Sequence, residues 1–307
     1  MSERIAFLGI GLMGAPMAER LVAAGRDVVL WNRTRTKAEA ITGARVAATP
    51  AAAAAEADVL ITMLETGPVV EAVLFGDPST SDGGAAASLK RGALVIDMSS
   101  SPPPMARDHA QRFAARGIGY LDAPVSGGVV GARAGTLAIM AGGDAADFAR
   151  AKPIFEQLGR PTLVGPAGSG QLAKCCNQAI VAITIGAVAE ALLLAAASGA
   201  DPAAVREALL GGFADSRILQ LHGKRMIERD FLPGGRARVQ LKDQHTILAA
   251  AKAAHLQLPL SECVTALYRD LVNQGGSELD QNALLLQLEH INAPARLGQA
   301  ADKLPPM

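Results

Sequence analysis

Cysteine is scarce in this 307-residue chain: Cys175, Cys176 and Cys263 are the only three, and they show neither CxxC nor metal-ligand spacing. An odd count without paired spacing does not suggest a disulfide framework and fits reduced thiols. The five histidines likewise lack metal-site spacing. Excess charge is missing too, since the formal net charge is zero. Phosphate-backbone binding needs a surplus of Lys and Arg on one face, so nucleic acid is not an expected partner. No cationic leader or cleavage-type region intervenes before the apolar run Ile5–Leu8, and the expected location is cytoplasmic. Only one apolar run approaches bilayer length, Ala179–Ala197, and it carries Gly186 and the charged Glu190. A helix apolar all round can be buried between protein layers, and that is the expectation here in place of a membrane span.

What is present is alternation. The first half sets short apolar runs between helical patterns, the signature of βα units feeding a parallel sheet. Strands are expected at Ile5–Leu8, Val28–Trp31, Val59–Met63, Leu94–Met98, Gly119–Leu121, Leu137–Ala141 and Thr162–Val164. Helices such as Pro16–Ala24, Ala51–Ala57 and Met105–Arg116 lie between them, and Gly76–Gly84 reads as a surface loop. After Gly170 the strand pattern stops. Helical stretches follow at Gln171–Ser198, Pro202–Leu210, Ser216–Arg229, Val239–His255, Ser261–Gln274 and Asn282–His290, so the class of fold changes near Gly165–Gly170.

Gly9-Ile10-Gly11-Leu12-Met13-Gly14 is a GxGxxG directly after one expected strand and directly before a helix. The first glycine permits the tight turn, the second lets a pyrophosphate approach the backbone, and the third allows close helix–strand packing. Dinucleotide binding is therefore expected. At the end of the second strand, where an acid would hold the ribose of NAD, stand Asn32, Arg33 and Thr34. A neutral side chain beside a guanidinium suits a 2′-phosphate, so NADP(H) is preferred and NAD(H) is the alternative. Ligands sit at the carboxyl ends of parallel strands, which adds Met63, Leu64 and Ser100 to the expected cofactor contacts. Ser100 reads equally well as a turn serine before Pro102.

The reaction centre is expected downstream. In Asp122–Gly128, Ser126 offers a hydroxyl, and the bare N–H groups of Gly127 and Gly128 offer a cradle for a carboxylate. Gly170, Lys174 and Asn177 fall at i, i+4 and i+7 of one helix, hence on one face. Glycine one turn before the lysine reads as room for a substrate, and the lysine can give a proton to a developing alkoxide. Lys242 and Asp243 open a later helix, where Lys242 reads as a contact over the cofactor and Asp243 as a group holding a lysine in place, or the two as a solvated ion pair.

With these motifs in order along nearly the whole length, the chain resembles the β-hydroxyacid dehydrogenase family. The resemblance implies a doubly wound, mostly parallel α/β Rossmann domain over 1–166, a long interdomain helix, an all-α domain over 167–298 that carries substrate and dimer contacts, and a tail over 299–307. It implies an NAD(P)-dependent enzyme acting on the CH–OH group of a short hydroxyacid or its semialdehyde, working as a homodimer or homotetramer. By the same likeness Gly9–Gly14 bind the cofactor, Ser126, Gly127 and Gly128 hold the substrate carboxylate, Lys174 is the acid/base, Asn177 orients substrate, and Lys242 lies by the nicotinamide. Glu65 and Gln178 depart from the usual proline and asparagine. Three rivals remain at this point: an imine reductase, which would usually lack the lysine; a hydroxy amino acid dehydrogenase; and a non-enzymatic nucleotide-binding protein.

Overall fold

The computed structural model describes residues 3–76 and 84–306, and the chain divides into two compact units, Met1–Lys174 and Cys175–Met307. Most of the expected loop Gly76–Gly84 thus lies outside the described residues.

The first unit opens with β1 (Arg4–Leu8), α1 (Gly14–Ala23), β2 (Asp27–Trp31), α2 (Arg35–Glu39), β3 (Arg45–Val46), α3 (Pro50–Ala54) and β4 (Val59–Thr62). It continues with α4 (Gly67–Phe75), α5 (Gly84–Ser88), β5 (Leu94–Asp97), α6 (Pro103–Ala114), β6 (Gly119–Asp122), β7 (Val125–Ser126) and α7 (Gly128–Ala134). β8 (Leu137–Gly143), α8 (Ala145–Leu158) and β9 (Gly159–Gly165) complete it before α9 (Ser169–Ala197), within which the division between units falls.

The sheet order is β3-β2-β1-β4-β5-β6-β8-β7, with β9 on β8. All pairs from β3 to β6 are parallel, whereas β8 meets β6 and β7 antiparallel. β4 and β5 are buried at every residue, as expected of parallel strands covered on both faces. Side chains alternate between two cores: Ile5 and Phe7 pack on one face, Ala6 and Leu8 on the other. Each large apolar side chain so buried contributes about 1.5–3 kcal/mol. Chain order reverses at β1, between β2 and β4, and this switch point is where an open α/β sheet leaves a crevice for ligands.

The second unit continues α9 and adds α10 (Pro202–Leu210), a π-helical turn at Leu219–Gly223 running into α11 (Lys224–Ile227), α12 (Ala237–Ala253), α13 (Pro259–Asn273) and α14 (Leu284–Ile291). Its core joins Ala182, Ile185, Ala189 and Leu192 of α9 to Val264 and Tyr268 of α13 and Leu284 of α14. The expectation that α9 is buried all round is corrected here. Only 33% of its most apolar stretch is buried, and Ile180 and Leu194 are 67% and 68% exposed. The helix is apolar on every side, so composition could not reveal that it packs through one face. The expected single helix over Ser216–Arg229 is instead interrupted by the π-turn. The expected tail is tied down, because Lys303 N donates to Arg229 O at 2.8 Å and Phe231 N donates to Lys303 O at 3.0 Å.

Candidate active site

In the first unit the glycine turn, Asn32–Thr34, Met63–Leu64 and Ser100 follow the carboxyl ends of β1, β2, β4 and β5, which run parallel and so open on one edge. Each glycine of the turn has a separate cause. Gly9 has φ +107°, and a Cβ there would strike the Met63 carbonyl. A Cβ on Gly14 would strike the Gly9 carbonyl, so α1 can start against β1 only without one. Gly11 is exposed, and a Cβ on it would meet nothing within 4 Å. That open backbone before the N-terminus of α1 suits a pyrophosphate.

Asn32 braces this turn. Its Oδ1 accepts from Ile10 N at 2.9 Å, and its Nδ2 donates to Thr34 O at 2.9 Å. Arg33 and Thr34 beside it are exposed. Leu64 N donates to Ser99 Oγ at 2.9 Å, which joins the segment after β4 to the turn after β5.

The carboxylate loop follows β6. Gly127 and Gly128 have φ of +136° and +60°, conformations that glycine adopts without strain, and both are exposed at the start of α7. Ser126 sits half-buried on β7. Lys174 Nζ donates to Val125 O at 2.9 Å, so the ammonium is held one residue from Ser126.

Sequence reasoning misread Gly170. A Cβ on it would collide with the carbonyls of Asp122 and Met140 and lie 2.9 Å from Gly142 N. The glycine therefore lets the first turn of α9 rest on β6 and β8; it is not space for a substrate. Sequence reasoning also missed the buried polar groups under that turn. Asp122 is fully buried, and its two oxygens accept from Gly168 N at 2.7 Å and Gln171 N at 2.8 Å, capping α9 from another strand. Burial pushes its carboxyl up to about 6, against the lowering effect of those two bonds. Asp97, also fully buried, accepts from Thr62 Oγ1 at 2.7 Å and Ser99 N at 3.0 Å, and burial likewise raises its pKa. The available signal was an acid ending an apolar strand, a place where charge survives only with partners.

Asn177 and Lys242 belong to the second unit. Asn177 Nδ2 donates to Gln178 Oε1 at 2.8 Å, and Gln178 Nε2 donates to Asp243 Oδ2 at 2.7 Å. Lys242 Nζ lies 3.1 Å from the other oxygen of Asp243. The longer side chain at position 178 thus links the amide on α9 to the Lys-Asp pair on α12. No group of three or more His, Cys, Asp or Glu able to hold a metal occurs among the described residues.

A doubly wound sheet with this glycine turn at its switch point defines a dinucleotide-binding protein. Residues 4–179 match the family model of the NAD binding domain of 6-phosphogluconate dehydrogenase. Residues 168–288 match that of the NAD-binding region of NADP-dependent 3-hydroxyisobutyrate dehydrogenase. The chain is 46% identical over 288 residues to the 2-hydroxy-3-oxopropionate reductase of Escherichia coli (strain K12), covering 93% of this chain and 97% of that protein. It is 36% identical over 274 residues to a 3-hydroxyisobutyrate dehydrogenase of Pseudomonas aeruginosa, covering 86% and 90%. The solved structure of Mycobacterium tuberculosis 3-hydroxyisobutyrate dehydrogenase with L-serine is similar at a TM-score of 0.84 and 33% identity, covering 94% of this chain and 99% of that one. The chain belongs to the β-hydroxyacid dehydrogenase family and is an NAD(P)-dependent oxidoreductase.

Proposed function

We propose that the enzyme reversibly reduces 2-hydroxy-3-oxopropionate (tartronate semialdehyde), or a closely related short semialdehyde such as that of 3-hydroxyisobutyrate, with NADP(H). The observation that carries this is the Lys174 ammonium, held 2.9 Å from Val125 O directly before the Ser126–Gly128 loop. A carboxylate on the N–H groups of Gly127 and Gly128 and the Ser126 hydroxyl would place a neighbouring carbonyl within reach of that lysine. The nicotinamide, when bound, supplies the hydride. Lys174 gives its proton to the carbonyl oxygen as the alkoxide develops and takes it back in the oxidative direction. Holding the carboxylate sets the orientation that makes transfer productive. Asn177 orients the substrate, and Lys242 lies by the nicotinamide, contacts that rest on the family resemblance. In this reading the functional division is 1–166 for cofactor, 167–298 for substrate and subunit contacts, and 299–307 as tail.

Arg33, exposed beside the neutral Asn32, supports the choice of NADP(H). The exposed apolar side chains of α9, Ile180 and Leu194, support a homodimer or homotetramer, with a second copy covering that face. The second substrate reading is a hydroxy amino acid, favoured by the L-serine in the related M. tuberculosis structure.

The test follows NADPH and NADH absorbance with tartronate semialdehyde, methylmalonate semialdehyde, 3-hydroxyisobutyrate and serine. Tartronate semialdehyde with NADPH is expected to give the highest kcat/KM. Lys174→Ala is expected to lower kcat by about 10²–10⁴. Undiminished turnover in that variant would refute the assignment of the lysine, and a preference for serine would replace the substrate.

A further inference from the structure

Under the first turn of α9 lies a side chain to which none of the steps above assigns a part. Gln171 is 1% exposed, and both ends of its amide are used on one short segment. Nε2 donates to Ser99 O at 2.8 Å, and Ser101 N donates to Oε1 at 3.0 Å. The amide therefore grips the backbone on either side of Ser100. That segment is fixed from below as well, because Asp97 accepts from Ser99 N and Ser101 Oγ, and from the side, because Ser99 Oγ accepts from Leu64 N. Gln171 is itself fixed at the helix end, where its own N–H donates to Asp122 at 2.8 Å. Residues i and i+3 of a helix are neighbours on its surface, and Lys174 is three positions on.

We propose that Gln171 is a positioning residue whose side-chain amide locks the Ser99–Ser101 turn to the helix carrying Lys174, so that the hydride donor and the proton donor are held in one register. The proposal rests on the reading of Lys174 given above and on the expectation that Ser100 contacts the cofactor. A capping role alone would need only the backbone N–H of Gln171, which any residue but proline supplies. The bidentate grip on Ser99 and Ser101 requires a side chain with a donor and an acceptor at glutamine length. Hydride transfer is sensitive to such registration, since a displacement of about 1 Å can cost about 10²-fold in rate.

The experiment compares full-length wild type with Gln171→Met, which keeps the length and removes both bonds, and Gln171→Glu, which keeps the acceptor for Ser101 N and removes the donor to Ser99 O. Each is assayed with tartronate semialdehyde and with NADPH or NADPH deuterated at the transferred C4 position. Lys174→Met is assayed alongside as a control on the underlying reading. The Met variant is expected to lose about 10–100-fold in kcat, with the KM for substrate and the Kd for NADPH each within about threefold of wild type. The deuterium effect on kcat should rise as transfer becomes limiting. The proposal is overturned if a folded Met variant keeps kcat within about twofold, or if kcat and NADPH affinity fall in proportion, since the residue then acts through binding. Should the Met variant not fold, the Glu variant decides by the same two criteria. Wild-type turnover in Lys174→Met would instead remove the reading beneath the proposal and the proposal with it.

Discussion

Single side chains here do several jobs at once, and Asp122 shows the energetic consequence. Its folded-state carboxyl is raised from 3.8 to about 6 by burial, so the folded chain holds a proton that the unfolded chain releases. Stability from this group is therefore greatest below pH 3.8 and is lost as pH rises through about 6. A shift of about two units corresponds to about 3 kcal/mol. Asp122→Asn is expected to be less stable at low pH by about 1–2 kcal/mol, since an amide can accept only one of the two capping bonds, and to lack the decline. Denaturant titrations from about pH 4 to about pH 7 check this; parallel pH profiles for the two proteins would show that the carboxylate does not titrate there. At the cofactor site, Arg33→Ala is expected to raise the Kd for NADPH by about 10–100-fold and leave that for NADH nearly unchanged, the size of one charge-assisted bond. Equal Kd changes for both cofactors by fluorescence titration would exclude a phosphate contact.

Elements meet at glycines, and this is where sequence reading and structure part. The strands at Ile5, Val28, Val59 and Leu94 were legible because burial on both faces leaves continuous apolar runs. The two-residue strands Arg45–Val46 and Val125–Ser126 were not, since so short a segment carries no period. The glycine turn was legible as a turn because its spacing between a strand and a helix is a local pattern, although the Met63 carbonyl that crowds Gly9 comes from another strand. Gly170 was not, because its neighbours Asp122, Met140 and Gly142 come from strands distant in sequence. Gly170→Ala is expected to cost about 1–3 kcal/mol by overpacking and to lower kcat as the first turn of α9 lifts off β6 and β8. Thermal melts and steady-state assays check both, and a variant that melts and turns over like wild type would show that the contact relaxes freely. Lys174 stands out in the sequence through its place at the head of an apolar helix. Gln171 does not, because a glutamine in a first helical turn is ordinary until its partners are seen.

Across the whole molecule, the second unit is closed by charge as well as by packing. Arg229 is 1% exposed, donates to both oxygens of Glu289 at 2.5 and 2.9 Å, to Asp302 at 2.5 Å and to Leu297 O at 3.0 Å. Removing one partner of such a buried group leaves the others uncompensated. Arg229→Ala is expected to destabilise the unit by about 3–5 kcal/mol, and truncation before Asp302 should act in the same direction. Urea unfolding measures both; a truncated chain as stable as the full one would show that the terminal segment is dispensable. At the surface, Ile180→Glu on the exposed face of α9 is expected to shift the protein to monomers in light scattering without lowering its melting temperature. A monomeric wild type would refute the proposed assembly, and an oligomer of unchanged mass would place the proposed subunit contact elsewhere.

Asn32 has a consequence for how such an enzyme changes over generations. Of the two bonds Asn32 makes, aspartate would keep the oxygen that accepts from Ile10 N and lose the amide donor to Thr34 O. A mutation from asparagine to aspartate would therefore alter the charge offered to the adenosine ribose while the glycine turn keeps its bond at Ile10 and only the link to Thr34 is given up. On the proposed reading, the preference for one cofactor over the other can drift without first passing through an unfolded or loop-broken ancestor.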